Sequence, residues 1–139
     1  MRIMAIDYGD ARIGLAVSDL TCTLCGEAWT MEEWNMERAA TRIVEEAKKR
    51  EVGTLVLGLP KNMDGSEGES ALGAREFGAK LAEASGLPLD FQDERGTTVT
   101  AHSFLNETNT RGKKRKAVVD AVAAVIILEN YLQRRRLQK

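Results

Sequence analysis

Three carboxylates lie next to or within apolar segments, at positions where a further core residue or the end of a strand would be expected. Asp7 ends the apolar run of residues 3–6, Glu94 follows the run at 87–91, and Asp120 interrupts the stretch KAVVDAVAAVIILENYL. An ionised carboxylate at the rim of a core is costly unless a cation compensates it. Three such groups brought together would repel one another, and a hard divalent cation with a preference for oxygen ligands would relieve the repulsion.

Carboxylates that bind divalent cations are suited to phosphodiester hydrolysis. Two Mg²⁺ ions about 4 Å apart can activate a water molecule and stabilise the leaving oxygen, so that no protein nucleophile is needed. We therefore interpret Asp7, Glu94 and Asp120 as the metal-binding and catalytic residues of a nuclease, with Mg²⁺ or Mn²⁺ as the cofactor. Asp93 lies beside Glu94 and ranks below it as a ligand.

Each carboxylate also has a purely structural explanation. A carboxylate at the end of a strand can cap a turn, pair with a neighbouring base, or sit as an anion in the first turn of a helix. These explanations are a cap of the Gly9 turn for Asp7, a pair with Arg95 for Glu94, and an N-terminal helix anion near Lys116 for Asp120. The metal interpretation depends on all three carboxylates lying at the ends of buried elements.

The apolar periodicity predicts the elements that carry these residues. Residues 2–7 and 12–18 are two apolar runs separated by a short turn, which is typical of a hairpin. Further along, the spacing predicts strands at 27–31, 54–59 and 87–91 and helices at 36–50, 67–84, from 97 or 98 to 105, and 116–135. Ser66 and Glu69 fit a capping box at the start of the 67–84 helix. Residues 61–68, 92–96 and 106–115 are predicted to be loops, of which 106–115 is polar and basic.

The order of these elements predicts a single α/β domain over residues 1–139. Short turns make the first three strands antiparallel, whereas helical crossovers make the later strands parallel. The result is a mixed sheet with helices packed on it. In the last helix Asp120 lies on the same stripe as Ala124, Ile127 and Tyr131, so its carboxylate belongs to the face that meets the sheet.

Positive charge is concentrated at one end of the chain. The net charge is −1, but residues 111–139 carry nine Lys and Arg against two acidic residues. This asymmetry indicates a polyanionic partner near the C-terminal segment. The basic segment consists of Arg111, Lys113, Lys114, Arg115 and Lys116. The second basic run, residues 134–139, is interpreted as a solvated helix end with a frayed tail.

Composition and motifs restrict the remaining classes. With 43% hydrophobic and 29% charged residues, 12 Gly and 2 Pro, the chain is typical of a globular protein. No apolar run is long enough to span a membrane and no secretory signal is evident, so a cytoplasmic location is expected. Cys22 and Cys25 form a lone C-x-x-C with only His102 as a further zinc ligand type, which favours an incidental pair of reduced cysteines.

Four segments, in order and spacing, resemble the YqgF/RuvX family, whose bacterial members are described as pre-16S ribosomal RNA nucleases and as Holliday junction resolvases. The segments are MRIMAIDYGDARIGLAVSD, VLGLPKNMDGSEG, DERGTTVTA and KAVVDAVAAVIILENYL. The resemblance implies a ribonuclease H-like fold with a mixed five-stranded sheet and helices on both faces. It carries the metal-binding role onto Asp7, Glu94 and Asp120. Gly96 and the CTLC stretch depart from the family pattern without removing an acidic residue.

The expected activity is endonucleolytic cleavage of structured nucleic acid, most specifically at the 5′ end of pre-16S rRNA. Lys113, Lys114, Arg115 and Lys116 would contact backbone phosphates, and Arg95 would neutralise charge near the scissile phosphate or pair with an acid. One alternative is a resolvase that cuts four-way DNA, for which a homodimer is required. Another is a non-catalytic binding factor in ribosome assembly. The sequence does not distinguish a monomer from a homodimer.

Overall fold

A computed structural model describes residues 1–9, 11–94 and 113–137, with the backbone alone described for 113–117. Within these residues the chain forms five strands and three helices. In chain order they are β1 (Arg2–Tyr8), β2 (Arg12–Ser18), β3 (Cys25–Glu32), α1 (Met36–Lys49), β4 (Val52–Leu59), α2 (Glu69–Ser85), β5 (Leu89–Asp93) and α3 (Lys113–Leu137).

The strands form one mixed sheet in the order β3-β2-β1-β4-β5. The pairs β1–β2 and β2–β3 are antiparallel, whereas β4 runs parallel to both β1 and β5. The predicted mixed five-stranded sheet is therefore confirmed. Because β1 and β5 flank β4 in the same direction, their C-terminal ends open on one edge of the sheet.

Helices cover both faces of the sheet, as predicted. Side chains alternate between the two faces along each strand. In β1, Met4 and Ile6 pack in a core with the buried residues of α1 and α2, whereas Ile3 and Ala5 pack on the other face against α3. Asp7 continues the series of Ile3 and Ala5 and so belongs to the face that α3 covers.

The first two helices form where polar residues cap an amphipathic segment. Asn35 caps α1 by accepting a hydrogen bond from the backbone N–H of Arg38 at 3.0 Å. The predicted capping box of α2 is wrong. Ser66 hydrogen-bonds within its own loop, donating through its hydroxyl to Asp64 Oδ1 at 2.6 Å. As a result α2 begins at Glu69 rather than at 67, after an N-cap glycine that makes no side-chain cap.

Several element boundaries also differ from the sequence prediction, since β3 begins at Cys25 rather than 27 and β4 at Val52 rather than 54. The strand β5 covers Leu89–Asp93 rather than 87–91, because polar residues at its end still pair with β4 up to Asp93. The helix α3 begins at Lys113 instead of 116, so the end of the predicted 106–115 loop is helical. The predicted helix ending at 105 and residues 95–112 in general lie outside the described residues.

The second basic run was predicted to be a frayed tail, but up to Leu137 it is part of the helix α3. Arg134 pairs with Asp90 of β5, with Nη2 and Oδ2 2.9 Å apart, and its guanidinium lies 4.9 Å from the ring centre of Tyr131. Arg136 donates to the backbone oxygen of Thr23 at 2.8 Å. These contacts attach the last turn of α3 to β5 and to the connection between β2 and β3, and the helix continues to Leu137.

Two further observations concern membrane-spanning helices and the state of the two cysteines. In the described part of the chain, no helix has the length and apolar character needed to cross a membrane. Cys22 and Cys25 are both free thiols, in agreement with a pair of reduced cysteines. The Cys22 thiol donates to the backbone oxygen of Met1 at 3.2 Å, and the Cys25 thiol donates to that of Glu27 at 3.4 Å.

Candidate active site

Asp7 and Glu94 lie together at the C-terminal edge of the sheet. Asp7 is near the end of β1, and Glu94 follows β5 immediately, with its backbone N–H donating to the carbonyl of Leu59 at 3.1 Å. This backbone bond holds Glu94 against the end of β4, between the strands that carry the two acids. The two carboxyl groups are joined by a side-chain hydrogen bond.

Burial governs the ionisation of this pair. Removal from water raises the pKa of Glu94 to about 9, with further contributions from the charge of Asp7 and from the hydrogen bond to Asp7. Burial also raises the pKa of Asp7, to about 6, although the hydrogen bond from Glu94 opposes the rise. Glu94 therefore holds the proton and donates it to the Asp7 carboxylate. The shared proton reduces the repulsion between the two carboxylates, as a bound cation would.

A glycine in β4 leaves the space that the Glu94 carboxyl group occupies. A methyl group added at Gly58 would lie 2.7 Å from Glu94 Oε2 and 2.6 Å from Cδ1 of Ile127 in α3. Both distances are shorter than carbon atoms in proteins tolerate. The Glu94 carboxyl group is thus packed between the sheet and α3, and any larger residue at position 58 would displace it.

Asp120 reaches the same region from α3. The helix crosses β2 so closely that a methyl group added at Gly14 would lie 1.9 Å from the backbone oxygen of Asp120. Gly14 is the cross-strand partner of Asp7. This crossing places Asp120 near enough for its charge to contribute to the raised pKa of Asp7. The glycine in β2 is therefore what allows the third carboxylate to approach the pair.

Asp120 has a cationic partner of its own. Arg12, the first residue of β2, lies with its Nε 3.2 Å from Oδ2 of Asp120. Burial raises the pKa of Asp120, and the charge and hydrogen bond of Arg12 oppose that rise. The Gly9 N–H, one group that Asp7 could bind as a cap of this turn, donates instead to the carbonyl of Arg12 at 3.1 Å.

The donor set fits a hard divalent cation, although the three carboxylates are not gathered around one point. Among residues 1–9, 11–94 and 113–137, no three His, Cys, Asp or Glu side chains form one metal-binding cluster. Asp7 and Glu94 form a pair of oxygen donors, and Asp120 faces Arg12. Mg²⁺ commonly binds through one or two carboxylates and keeps water for its other positions, so the pair alone has a suitable chemistry.

Comparison with known proteins decides the family. The sequence profile of the RuvX family, described as Holliday junction resolvase, matches residues 1–134. The chain belongs to the RuvX family. A relative from Pediococcus pentosaceus, named "Putative pre-16S rRNA nuclease", is 46% identical over 135 residues that cover 95% of this chain and 92% of the relative. A relative of the same name from Limosilactobacillus fermentum is 42% identical, covering 95% and 93% of the two chains.

Two solved structures that match nearly the whole chain are resolvases. The Thermus thermophilus RuvC in complex with a Holliday junction substrate covers 98% of this chain and 96% of its own, with a TM-score of 0.59 and 16% identity. The fowlpox virus Holliday junction resolvase covers 96% and 99%, with a TM-score of 0.58 and 14% identity. These likenesses confirm the ribonuclease H-like fold, and the RuvX profile and relatives confirm the predicted nuclease family.

Only some of the predicted site residues of this RuvX protein lie together in the described part of the structure. It brings Asp7 and Glu94 into contact and Asp120 near them. Arg95 and the side chains of Lys113, Lys114, Arg115 and Lys116 lie outside the described residues, so their roles stay predictions. The sequence reasoning missed three residues that shape the site, namely Arg12, Gly14 and Gly58. All three lie in β2 or β4, the strands that flank β1, and for the two glycines a glycine at a buried strand position was the available signal of a close approach.

Proposed function

We propose that this RuvX protein is a divalent-metal-dependent endonuclease that hydrolyses phosphodiester bonds in structured RNA, with Mg²⁺ or Mn²⁺ as its cofactor. The observation that carries the proposal is the partly buried, hydrogen-bonded pair Asp7–Glu94 with Asp120 beside it. A fold gains no stability from two partly buried carboxylates that repel each other. A site that must bind a cation explains their placement.

Each carboxylate has a definable part in such a reaction. Asp7 is ready to donate oxygen ligands, whereas Glu94 must first lose the proton that it shares with Asp7. Asp120 would complete the ligand set from α3. A divalent cation bound there would supply activation of a water molecule and stabilisation of the leaving oxygen.

The basic segment would supply substrate affinity. Lys113, Lys114, Arg115 and Lys116 lie in the residues that precede Asp120 in the chain, so phosphates bound by them would be near the carboxylates. Contacts to phosphate fix the position of a nucleic acid without reading its sequence. We assign Arg95, next to Glu94 in the chain, to the same role close to the scissile phosphate.

The substrate we favour is the precursor of 16S rRNA, cut near its 5′ end. The support is the name carried by relatives that are more than 40% identical over nearly the full chain. Such a substrate would place the protein in the cytoplasm. The chain would act as a monomer or a homodimer, because cutting a single RNA strand requires one active site.

A second candidate is resolution of four-way DNA junctions. Its support is the description of the RuvX family and the resolvases that share the fold. Symmetric cutting of a junction needs two active sites held in a fixed relation, and hence a homodimer. A protein that is monomeric in solution would therefore exclude this candidate, whereas a homodimer is compatible with both.

Cleavage assays on matched substrates test the proposal. A labelled pre-16S rRNA fragment and a labelled four-way DNA junction are incubated with wild type, Asp7→Asn and Glu94→Gln, in Mg²⁺, Mn²⁺ or chelator. Glu83→Gln serves as the control, because Glu83 is an exposed acid on α2. We expect metal-dependent cleavage of the RNA by wild type and by the control only.

Other outcomes are equally informative. Cleavage of the junction alone, by a protein that is dimeric in solution, would replace the favoured substrate with the second candidate. Binding of either nucleic acid without cleavage, unchanged by Asp7→Asn and by metal, would overturn the nuclease proposal and leave a ribosome-assembly binding factor.

A further inference from the structure

The ion pair between Arg12 and Asp120 joins the start of β2 to the candidate active site. Arg12 lies two residues before Gly14 in β2, so the two positions share the face covered by α3. The Arg12 side chain is 39% exposed and that of Asp120 is 24% exposed. The guanidinium thus reaches from solvent to the carboxylate, and it contacts Oδ2, one of the two oxygens that a cation bound to Asp120 could use.

The backbones on both sides of this ion pair are held in place. The close crossing of α3 over Gly14 fixes the backbone of Asp120. The backbone of Arg12 accepts from the Gly9 N–H at 3.1 Å and lies in the β2–β3 ladder. Separation of the pair therefore requires a rotation of the Arg12 side chain and no movement of the helix or the strand.

Asp120 faces the Arg12 guanidinium, which carries a positive charge of its own. A divalent cation can therefore take the place of the guanidinium only if the Arg12 side chain rotates away. A phosphate is a suitable new partner for Arg12, because its oxygens match the guanidinium fork.

We propose that Arg12 competes with the divalent cation for Asp120, and that a phosphate of the bound nucleic acid releases Asp120 by drawing Arg12 away. This inference rests on the proposed nuclease function. It makes binding of cation and nucleic acid mutually favourable, as linkage requires when each removes an obstacle to the other. Arg12 is thus a positioning residue that opens the full ligand set only when substrate is present.

The test uses two binding measurements on wild type, Arg12→Gln and a control, Arg38→Gln. Arg38 lies on α1, on the opposite face of the sheet, and pairs with Glu33 at 3.4 Å, so the control also removes one positive charge from an ion pair. Mn²⁺ affinity is measured by titration calorimetry without nucleic acid. Affinity for a labelled RNA hairpin is measured by fluorescence anisotropy in chelator, over a range of salt concentrations.

Opposite changes are expected for the two ligands. Arg12→Gln should bind Mn²⁺ about threefold to tenfold more tightly, since it removes a competing ion pair of ordinary strength. The same variant should bind RNA more weakly, with a salt dependence reduced by about one phosphate contact. Arg38→Gln should change neither affinity. Arg12→Lys keeps a positive charge and should lie between wild type and Arg12→Gln in both assays.

Two results would overturn the inference. If Arg12→Gln binds Mn²⁺ no better than wild type, or more weakly, Arg12 orients Asp120 as a ligand and does not compete for it. If RNA affinity is unchanged in Arg12→Gln, phosphate is not the partner that draws Arg12 away. A wild type that binds neither Mn²⁺ nor RNA would instead refute the proposed function, and the inference with it.

Discussion

The side chains of Asp7 and Glu94 share one hydrogen bond, although the two residues are far apart in the sequence. Asp7 arrives on the central strand β1 and Glu94 from the end of β5, with β4 between the two strands. The two carboxyl groups are too far removed from water for both to be ionised, so one proton remains on the pair. The state of this proton connects pH, stability and metal binding in a measurable way.

Stability of the metal-free protein should fall as pH rises above about 5. The pKa of Glu94 is raised from 4.5 in an unfolded chain to about 9, and that of Asp7 from 3.8 to about 6. Between these values the native state binds more protons than the unfolded state, so the free energy of unfolding decreases with pH. Glu94→Gln should be more stable than wild type at pH 8.5 in chelator, by a few degrees in Tm.

The control for this measurement is Glu83→Gln, which removes an exposed carboxyl group on α2. Its Tm should follow that of wild type across pH 5 to 9. Equal pH profiles for wild type and Glu94→Gln would show that Glu94 is ionised in the folded protein and would contradict the shared proton.

Divalent cations should reverse the pH effect. A ligand that binds only the native state raises Tm, and the rise grows with the logarithm of the ligand concentration relative to its Kd. At pH 8.5 we expect Mn²⁺ to raise the Tm of wild type, and to do so less at pH 6, where the proton competes for Glu94. Thermal unfolding with and without Mn²⁺ measures this. Asp7→Asn should show little Mn²⁺ stabilisation at either pH; a full response in this variant would place the cation elsewhere.

Gly58→Ala should impair cleavage far more than stability. The added methyl group would meet the ends of two side chains, Glu94 and Ile127, and both can move aside. The expected loss of stability is about 1–2 kcal/mol, typical of a modest overpacking. Displacement of the Glu94 carboxyl group should reduce cleavage about 100-fold, as misplacement by about 1 Å does in other active sites. Chemical denaturation and cleavage rates on the same preparation separate the two effects.

Gly14→Ala should behave differently, because its methyl group would meet backbone. The carbonyl of Asp120 would lie 1.9 Å away, so α3 must shift from the sheet. We expect a loss of about 3 kcal/mol in the free energy of unfolding. Gly73→Ala is the matched control, since nothing lies within 4 Å of a methyl group at that position in α2. That control should gain about 0.5–1 kcal/mol from improved helix propensity; a stable, active Gly14→Ala would contradict the close crossing.

Local patterns were enough to predict most of the fold, but not the contacts that complete the site. The β1–β2 hairpin, α1 and α3 follow from apolar periodicity, which is a property of neighbouring residues. The predicted start of α2 was wrong, because Ser66 hydrogen-bonds to Asp64 in its own loop instead of capping the helix. The ion pair of Arg12 and Asp120 joins residues far apart in sequence, and no periodicity reveals such a pair.

The basic segment should provide affinity without preference for sequence. Lys113→Gln with Lys114→Gln removes two positive charges close to Asp120 in the chain. If both side chains contact phosphates, the salt dependence of RNA affinity should fall by about two contacts, and DNA affinity should fall in parallel. Lys48→Gln with Lys49→Gln is the matched control, because those residues form the last turn of α1 on the other face of the sheet. Equal losses in the two double variants would mean that net charge alone, rather than the basic segment, attracts the nucleic acid.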